Sequence, residues 1–144
     1  MGYVDKVKRF DVIEHTADAG IMAYGADLKE AFANAAYGMF SLMADLEGVE
    51  EEVCRQIEVE AADGESLVVS WLNELLYLLD VERIVFKRFN ITELSDTSLK
   101  AESWGEKLDT ARHNLRSGIK AATYHMLRVA KEDGHTSIRV IFDV

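Results

Sequence analysis

The stretch from Leu67 to Leu79 restricts what this chain can fold into more than any other feature. It reads LVVSWLNELLYLL, with apolar residues on most faces of a helix. A helix that is apolar nearly all round must be covered by other elements on more than one side. We therefore predict a helix over residues 66–82 that forms the centre of the hydrophobic core.

A second helical pattern precedes this one. Asp27 is predicted to cap a helix over residues 28–46, and Glu30, three residues further on, matches a capping box. Gly48 is expected to stop this helix. The apolar residues that recur at helical spacing are Leu28, Phe32, Ala35, Met39, Leu42 and Met43.

The remaining segments alternate between apolar and polar residues, as half-buried strands do. The predicted strands cover residues 9–15, 20–24, 52–61, 84–94, 98–104, 119–129 and 136–144. The last two are expected to form a hairpin around Asp133-Gly134, while residues 105–118 are predicted to be an irregular loop. The predicted fold class is α+β, a single compact domain over residues 1–144 with two main helices packed on a mostly antiparallel sheet.

Charge limits the partners that the chain can bind. It has 26 acidic and 16 basic residues and a net charge of −10. Phosphate contacts require Lys and Arg, so direct, tight nucleic-acid binding is not expected, and a basic protein partner fits better. The single cysteine, Cys54, is predicted on the exposed face of its strand. Without an apolar run long enough to cross a bilayer, we expect a cytoplasmic protein that does not bind membranes.

Motifs of common enzyme classes are missing from the sequence, which has no glycine-rich phosphate loop, paired-cysteine zinc site or nucleophile elbow. Two carboxylates are notable by position, because Asp18 lies in a predicted turn and Asp143 is followed only by Val144. If the first and last strands are neighbours, these groups and the terminal carboxylate could converge on a hard cation such as Mg²⁺, Ca²⁺ or Mn²⁺. A solvated or locally capping aspartate is the alternative.

Histidine and lysine residues allow two interpretations each. His15 could orient Asp18 or add a ligand, and His125 alternates with its neighbours on a predicted strand. For these and for His113 and His135, a core or surface histidine with a backbone partner is the simpler interpretation. Lys120 could be a solvent-side residue of a strand or could contact a phosphate or carboxylate in a complex.

Several motifs together resemble the archease family over essentially the whole chain. They are Glu14-His15-Thr16-Ala17-Asp18, Gly105-Glu106 with Asp109 and His113, Ile119-Lys120-Ala121-Ala122-Thr123-Tyr124-His125, and the final Ile141-Phe142-Asp143-Val144. Thr110 departs from the family pattern, in which proline often follows the aspartate.

This resemblance implies an accessory protein, not an enzyme. Archeases promote guanylylation and multiple turnover of the RtcB-type RNA ligase in tRNA splicing, so tRNA would be contacted only indirectly, through the ligase. The family binds a divalent cation, with Ca²⁺ the first candidate. Carried onto this chain, the ligands would be Asp18, Asp143 and Val144, while Lys120, His125 and His15 become candidates for contact with the partner.

Other functions stay open beside this one. A chaperone or specificity modulator of a tRNA-modifying enzyme, such as a methyltransferase, would need the same acidic surface. A metal-dependent hydrolase using Asp18 and Asp143 would need a general base, for which only His15 or Glu14 is near in sequence. A small domain whose acidic turn binds nothing is the remaining alternative.

Overall fold

A computed structural model describes residues 8–14, 19–116 and 118–144. Two helices, α1 (Leu28–Met43) and α2 (Gly64–Glu82), and a 3₁₀ turn at Leu46–Gly48 lie in this part of the chain. Its strands are β1 (Phe10–Glu14), β2 (Ala19–Gly25), β3 (Val53–Glu60), β4 (Ile84–Leu94), β5 (Ser98–Lys107), β6 (Ala121–Ala122), β7 (Arg128–Glu132) and β8 (His135–Asp143).

The strands form two antiparallel sheets, where the sequence suggested one. In the first, the order is β1-β2-β8-β6, and β7 also pairs with β8. In the second, β5 lies between β3 and β4. The α+β class with two helices packed on antiparallel strands is confirmed. Neither helix in the described ranges combines the length and apolar character needed to cross a membrane.

Helix α2 lies at the centre of the core, as its apolar sequence predicts. Trp71, Leu72 and Leu75 are fully buried. The indole N–H of Trp71 donates to the carbonyl oxygen of Phe32 in α1 at 3.0 Å, so the one polar atom of this large side chain is satisfied inside the core. The two helices are thereby joined by packing and by a buried hydrogen bond.

Helix α1 begins as predicted but ends earlier. The Asp27 side chain accepts from the backbone N–H of Glu30 at 2.9 Å, and the Glu30 carboxylate accepts from the N–H of Ala26. The helix stops at Met43, because Ala44 is extended and the next groups bond elsewhere. Asp45 donates its N–H to the carbonyl oxygen of His113, a long-range contact that local periodicity cannot reveal. Gly48 therefore ends the 3₁₀ turn and does not stop α1.

Strand β5 extends through Gly105 to Lys107, so the predicted loop begins three residues later than expected. At Gly105, a side chain would overlap the carbonyl oxygen of Val85 and approach the Cα of Phe86 to 2.7 Å. A glycine that suggested a loop is instead required by close backbone approach within the sheet.

The predicted continuous strand over residues 119–129 is wrong. It is divided into β6 and β7 by a turn in which Leu127 donates its N–H to the carbonyl oxygen of Tyr124, and Met126 has a positive φ of 55°. The predicted hairpin between β7 and β8 is confirmed, with Gly134 at φ 76° in its turn. Cys54 is exposed, as its place in the alternation of β3 predicts.

Candidate cation and partner site

The C-terminal end of β8 lies between two other strands. On one side, Ala19 at the start of β2 pairs with Phe142, and on the other Ala121 of β6 pairs with Asp143. The backbone N–H of Lys120 donates to the carbonyl oxygen of Asp143 at 2.7 Å. The end of β8 is therefore held within the sheet, next to two segments that the family resemblance singles out.

Side chains of β8 alternate as predicted. Ile138, Val140 and Phe142 are fully buried against the core, while Asp143 is exposed and Val144 keeps 44% of its surface accessible. Ile141, on the opposite face, is also buried. A side-chain carbon at Gly20 would come within 2.6 Å of the Cδ1 of Ile141, which shows that the isoleucine covers this glycine.

The predicted cation ligands are only partly placed. The carboxylate of Asp143 makes no hydrogen bond or ion pair within the described ranges, so its oxygens are accessible to a ligand. Asp18 and His15 lie outside the described residues. The strand residues on either side of them are described: Glu14 pairs with Ala19, and Ala19 also pairs with Phe142.

Within residues 8–14, 19–116 and 118–144, no three His, Cys, Asp or Glu side chains are grouped to hold a metal ion. This finding does not bear on the predicted ligands. Asp18 lies outside these ranges, and Val144 would bind through its terminal carboxylate and not through a side chain. The role of these groups as ligands therefore stays a prediction.

Lys120 is exposed and lines an open groove of about 440 Å³ between α2 and residues 119–121. Asn73 of α2 holds one wall of this groove in place, because its Oδ1 accepts the backbone N–H of Ala122 at 2.8 Å. Asn73 is not among the residues predicted from the sequence. The sequence did contain a signal, since Asn73 and Glu74, together with Ser70, are the polar residues of an otherwise apolar run. The lining residues are Asn73, Leu76, Tyr77, Asp80, Ile119, Lys120 and Ala121.

His125 was predicted to lie on a strand, and this is wrong. It lies in the turn that separates β6 from β7. Its backbone N–H donates to the Oγ1 of Thr123 at 3.3 Å. The same hydroxyl donates to the carbonyl oxygen of Ile141 at 2.8 Å, and this bond ties the turn to β8. The His125 side chain is exposed on the same edge of the sheet as Lys120.

A second group of charged residues lies at the end of β5 and is almost completely enclosed. Glu106 is 4% exposed and His113 is fully buried. One carboxylate oxygen of Glu106 accepts from Arg112 at 2.6 Å. The other accepts from the Glu50 N–H at 2.8 Å and from the Nε2 of His113 at 2.9 Å. Chiefly through the Arg112 hydrogen bond, these contacts lower the pKa of Glu106 to about 2.

The hydrogen bonds of His113 identify its tautomer. Its Nδ1 accepts the backbone N–H of Asp109 at 3.0 Å, so the proton lies on Nε2 and is donated to Glu106. Both ring nitrogens are occupied, which excludes His113 as a metal ligand in this conformation. The cluster fixes residues 109–113 against the end of β5, and the simpler interpretation of His113, a core histidine with a backbone partner, is confirmed.

Comparison with known proteins places the chain in a family. The Archease protein family (MTH1598/TM1083) matches residues 10–144. The curated "Protein archease" of Sulfurisphaera tokodaii is 36% identical over 140 residues, which cover 96% of this chain and 100% of the relative. That of Methanothermobacter thermautotrophicus is 41% identical, with the same coverage.

Solved structures agree with this assignment. The solution structure of protein 1598 from Methanobacterium thermoautotrophicum matches with a TM-score of 0.80 and 39% identity, covering 96% of this chain and 100% of that one. The crystal structure of an archease, "possible chaperone", from Thermotoga maritima has a TM-score of 0.62, 19% identity and full coverage of both chains, and this likeness shows the fold alone. This chain belongs to the archease family.

Proposed function

We propose that this protein is a non-catalytic, cation-dependent activator of an RtcB-type RNA ligase in tRNA splicing, which promotes guanylylation and multiple turnover of the ligase. Membership of the archease family supports the proposal. The structural observation that carries it is the meeting of three segments at one edge of the first sheet: the start of β2, the strand β6, and the end of β8.

A divalent cation would be held at this edge by Asp18, Asp143 and the terminal carboxylate of Val144. The donors are all carboxylate oxygens, the ligands that Ca²⁺, Mg²⁺ and Mn²⁺ prefer. Asp18 directly precedes Ala19, and Ala19 pairs with the residue before Asp143. When bound, the cation would neutralise charge on the phosphates of the nucleotide that the ligase holds.

The partner would be recognised mainly by charge. A net charge of −10 favours docking on a basic face of the ligase, and steering of this kind weakens as salt is added. Lys120, whose backbone bonds to Asp143, and His125, in the turn after β6, are both exposed and are the described candidates for contact. His15 remains a candidate from the sequence. The tRNA would be held by the ligase and not by this chain.

A guanylylation assay tests the proposal directly. The RtcB-type ligase is incubated with GTP and a divalent cation, and covalent GMP is measured with wild-type protein, Asp18→Ala, Asp143→Ala or the control Asp96→Ala. Asp96 is an exposed acid in the turn between β4 and β5 and carries the same charge change. We expect stimulation by wild type and Asp96→Ala only. Equal stimulation by all four proteins would reject the assigned site.

Calorimetric titration with Ca²⁺, Mg²⁺ and Mn²⁺ tests the cation site without the ligase. Asp143→Ala should bind at least tenfold more weakly than wild type, since a charged ligand is removed. A chain extended by Gly-Ser-Gly after Val144 should also bind more weakly, because the carboxylate is moved away. If the extended protein binds as tightly as wild type, Val144 is not a ligand.

A second candidate is a chaperone or specificity modulator of a tRNA-modifying enzyme, such as a methyltransferase. The Thermotoga maritima archease is described as a possible chaperone, and this alternative is kept on that description of a relative, since the likeness itself shows only the fold. Affinity capture at moderate salt distinguishes the two functions by the partner that is recovered. Recovery of a methyltransferase without the ligase would support the second candidate over the first.

A further inference from the structure

Two arginines face each other on the outer surface of the first sheet. Arg128 of β7 and Arg139 of β8 are direct partners in the antiparallel register. Side chains of directly opposed residues project from the same face, with their Cβ atoms about 4.5–5.5 Å apart. Like charges in this arrangement repel each other, so the pair destabilises the hairpin unless an anion lies between them.

Neither arginine has a carboxylate partner within the described part of the chain. Arg139 donates through Nε to the carbonyl oxygen of Met126 at 2.9 Å, which leaves its two terminal amino groups free to donate elsewhere. The side chain of Arg128 makes no hydrogen bond, ion pair or ring contact with the described residues.

Four of the six other arginines are neutralised within the described residues, whereas Arg9 bonds to Asn34 and lies over the Tyr37 ring and Arg83 has no carboxylate partner there. Salt bridges to carboxylates are made by Arg55, Arg88, Arg112 and Arg116. Acidic residues outnumber basic ones by 26 to 16, so carboxylates are plentiful. The missing partners of Arg128 and Arg139 therefore reflect where the two arginines lie, not a shortage of acidic groups.

The nearest carboxylate in the same row of the sheet is already engaged. The row runs from Asp11 through Met22 and Arg139 to Arg128. Asp11 is two strands from Arg139, about 9–10 Å. It accepts from Lys8 at 2.9 Å and from the Tyr24 hydroxyl at 2.8 Å, and these hydrogen bonds lower its pKa.

The surface around the pair is open. The helix-facing side of β8 is formed by Ile138 and Val140, which are fully buried, and Arg139 lies on the opposite side. Arg128 is exposed and Arg139 is half-exposed. Both arginines therefore lie on the side of the sheet away from the helices, and each keeps part of its surface accessible there.

We propose that Arg128 and Arg139 form a binding site for a dianionic phosphate group. A phosphomonoester carries about −1.5 to −2 charges at neutral pH and three acceptor oxygens, which match two cations and their forked donors. A single carboxylate offers one charge and would leave one guanidinium unneutralised. The phosphate would belong to a free nucleotide or to the phosphorylated end of an RNA. Contact with such an end alone differs from tight binding of a whole tRNA, which the proposed function leaves to the ligase.

This site is separate from the cation site and does not rest on the proposed function. Arg139 lies four residues before Asp143 on β8, about 13–14 Å along the strand. Loss of the arginine pair would leave the ligands of the cation in place, and loss of Asp143 would leave the arginines in place. The two proposals can therefore fail independently.

Titration followed by NMR tests the site, using the arginine Nε–Hε signals and, in every variant, the backbone amide signals of β7 and β8. The probes are inorganic phosphate, AMP with adenosine as its control, and a hexaribonucleotide with or without a 5′ phosphate. The variants are Arg128→Gln, Arg139→Gln and the double substitution. Lys131→Gln is the matched control, because Lys131 is an exposed cation on the same strand. We expect each single substitution to weaken phosphate binding about tenfold and Lys131→Gln to leave it unchanged.

Comparing the probes identifies the source of the phosphate. Tighter binding of AMP than of the oligonucleotide indicates a free nucleotide, and the reverse order indicates an RNA end. Unchanged binding in the double variant would overturn the proposal. It would also be overturned if a Glu-rich peptide bound at least as tightly as every phosphate probe, because the site would then take carboxylates from a protein.

Thermal unfolding supplies a second readout that does not depend on the signals of the arginines themselves. Without phosphate, the double variant should melt no lower than wild type, because the removed repulsion between the two arginines offsets the lost hydrogen bond from Arg139 to the Met126 carbonyl. Added phosphate should raise the Tm of wild type and of Lys131→Gln but not that of the double variant. An equal rise in all three proteins would reject the site.

Discussion

Charged residues lie at two strand ends in this protein, and their surroundings differ: at one end they are buried and hydrogen-bonded, and at the other the carboxylate is exposed. At the end of β5, Glu106 and His113 are enclosed, and every polar atom of their side chains has a partner. At the end of β8, Asp143 is exposed, and its carboxylate has no partner within the described residues. The comparison separates charges that hold the fold from charges that are available to a ligand.

The difference follows from the cost of burial. A buried carboxylate is tolerated only when hydrogen bonds replace its water shell, and the oxygens of Glu106 accept such bonds from Arg112, Glu50 and His113. Once satisfied, the group cannot bind anything else. Family motifs include both strand ends, but only the end of β8 keeps oxygens that a cation can reach.

The largest effect is expected at Gly105, beside Glu106. In Gly105→Ala, the new methyl group would overlap the carbonyl oxygen of Val85, which is backbone and cannot move aside without separating β4 from β5. We expect a loss of about 3 kcal/mol or more in the free energy of unfolding, measured by urea denaturation. Gly64→Ala is the control, because nothing lies within 4 Å of its added carbon. Equal stability of both variants would contradict the tight packing at β5.

A smaller loss is expected from Glu106→Gln, which removes the charge but keeps the shape. At pH 7 the lowered pKa of Glu106 corresponds to a contribution on the order of 3 kcal/mol, calculated from 4.5 in the unfolded chain and about 2 in the folded one. Urea denaturation at pH 7 should show a loss of that order. A loss below about 0.5 kcal/mol would mean that the charge of Glu106 is not used by the fold.

The same residue predicts how stability depends on pH. Because the folded pKa is depressed, the contribution of Glu106 is fully present above about pH 4.5 and is lost as pH falls towards 2. Wild type should therefore lose stability over this range more steeply than Glu106→Gln. Thermal melts at about pH 5, 4 and 3 measure the two slopes, and parallel slopes would contradict the assigned pKa.

Much of this arrangement could be predicted from local pattern. The apolar run of α2 predicts its central burial, and the alternation along β8 predicts that Asp143 is exposed while Phe142 is buried. The capping residues Asp27 and Glu30 fix the start of α1. These predictions succeed because each depends on residues that are near one another in sequence.

Long-range contacts account for the errors. Helix α1 ends early because Asp45 bonds to His113. Gly105 is needed within a strand, and not in a loop, because the carbonyl oxygen of Val85 leaves no room for a side chain. The enclosure of Glu106 depends on Glu50, which is 56 residues away. For the candidate site, the sequence suggested that the first and last strands are neighbours, but β2 lies between them and is the strand that pairs with β8. The ligand role of Asp18 stays a prediction.

A moderate effect is expected from Asn73→Ala, at the boundary between core and open edge. Its amide bonds the backbone of Ala122 and so fixes β6 beside the end of β8. We expect a loss of about 1 kcal/mol, since one buried N–H loses its partner. Hydrogen exchange at the Ala122 amide should become faster, while Glu74→Ala, the adjacent control, should leave it unchanged. Unaltered exchange in Asn73→Ala would show that β6 is held by β8 alone.

The smallest effect on stability is expected from Asp143→Asn, which is the same chemical change as Glu106→Gln. Without a cation, the free energy of unfolding should stay within about 0.5 kcal/mol of wild type, because the carboxylate has no partner among the described residues to lose. With Ca²⁺ at about 100 times its Kd, wild type should gain about 2.7 kcal/mol and the variant much less. A large loss without cation would place Asp143 with Glu106, as a charge that the fold itself requires, and the contrast between the two strand ends would then be wrong.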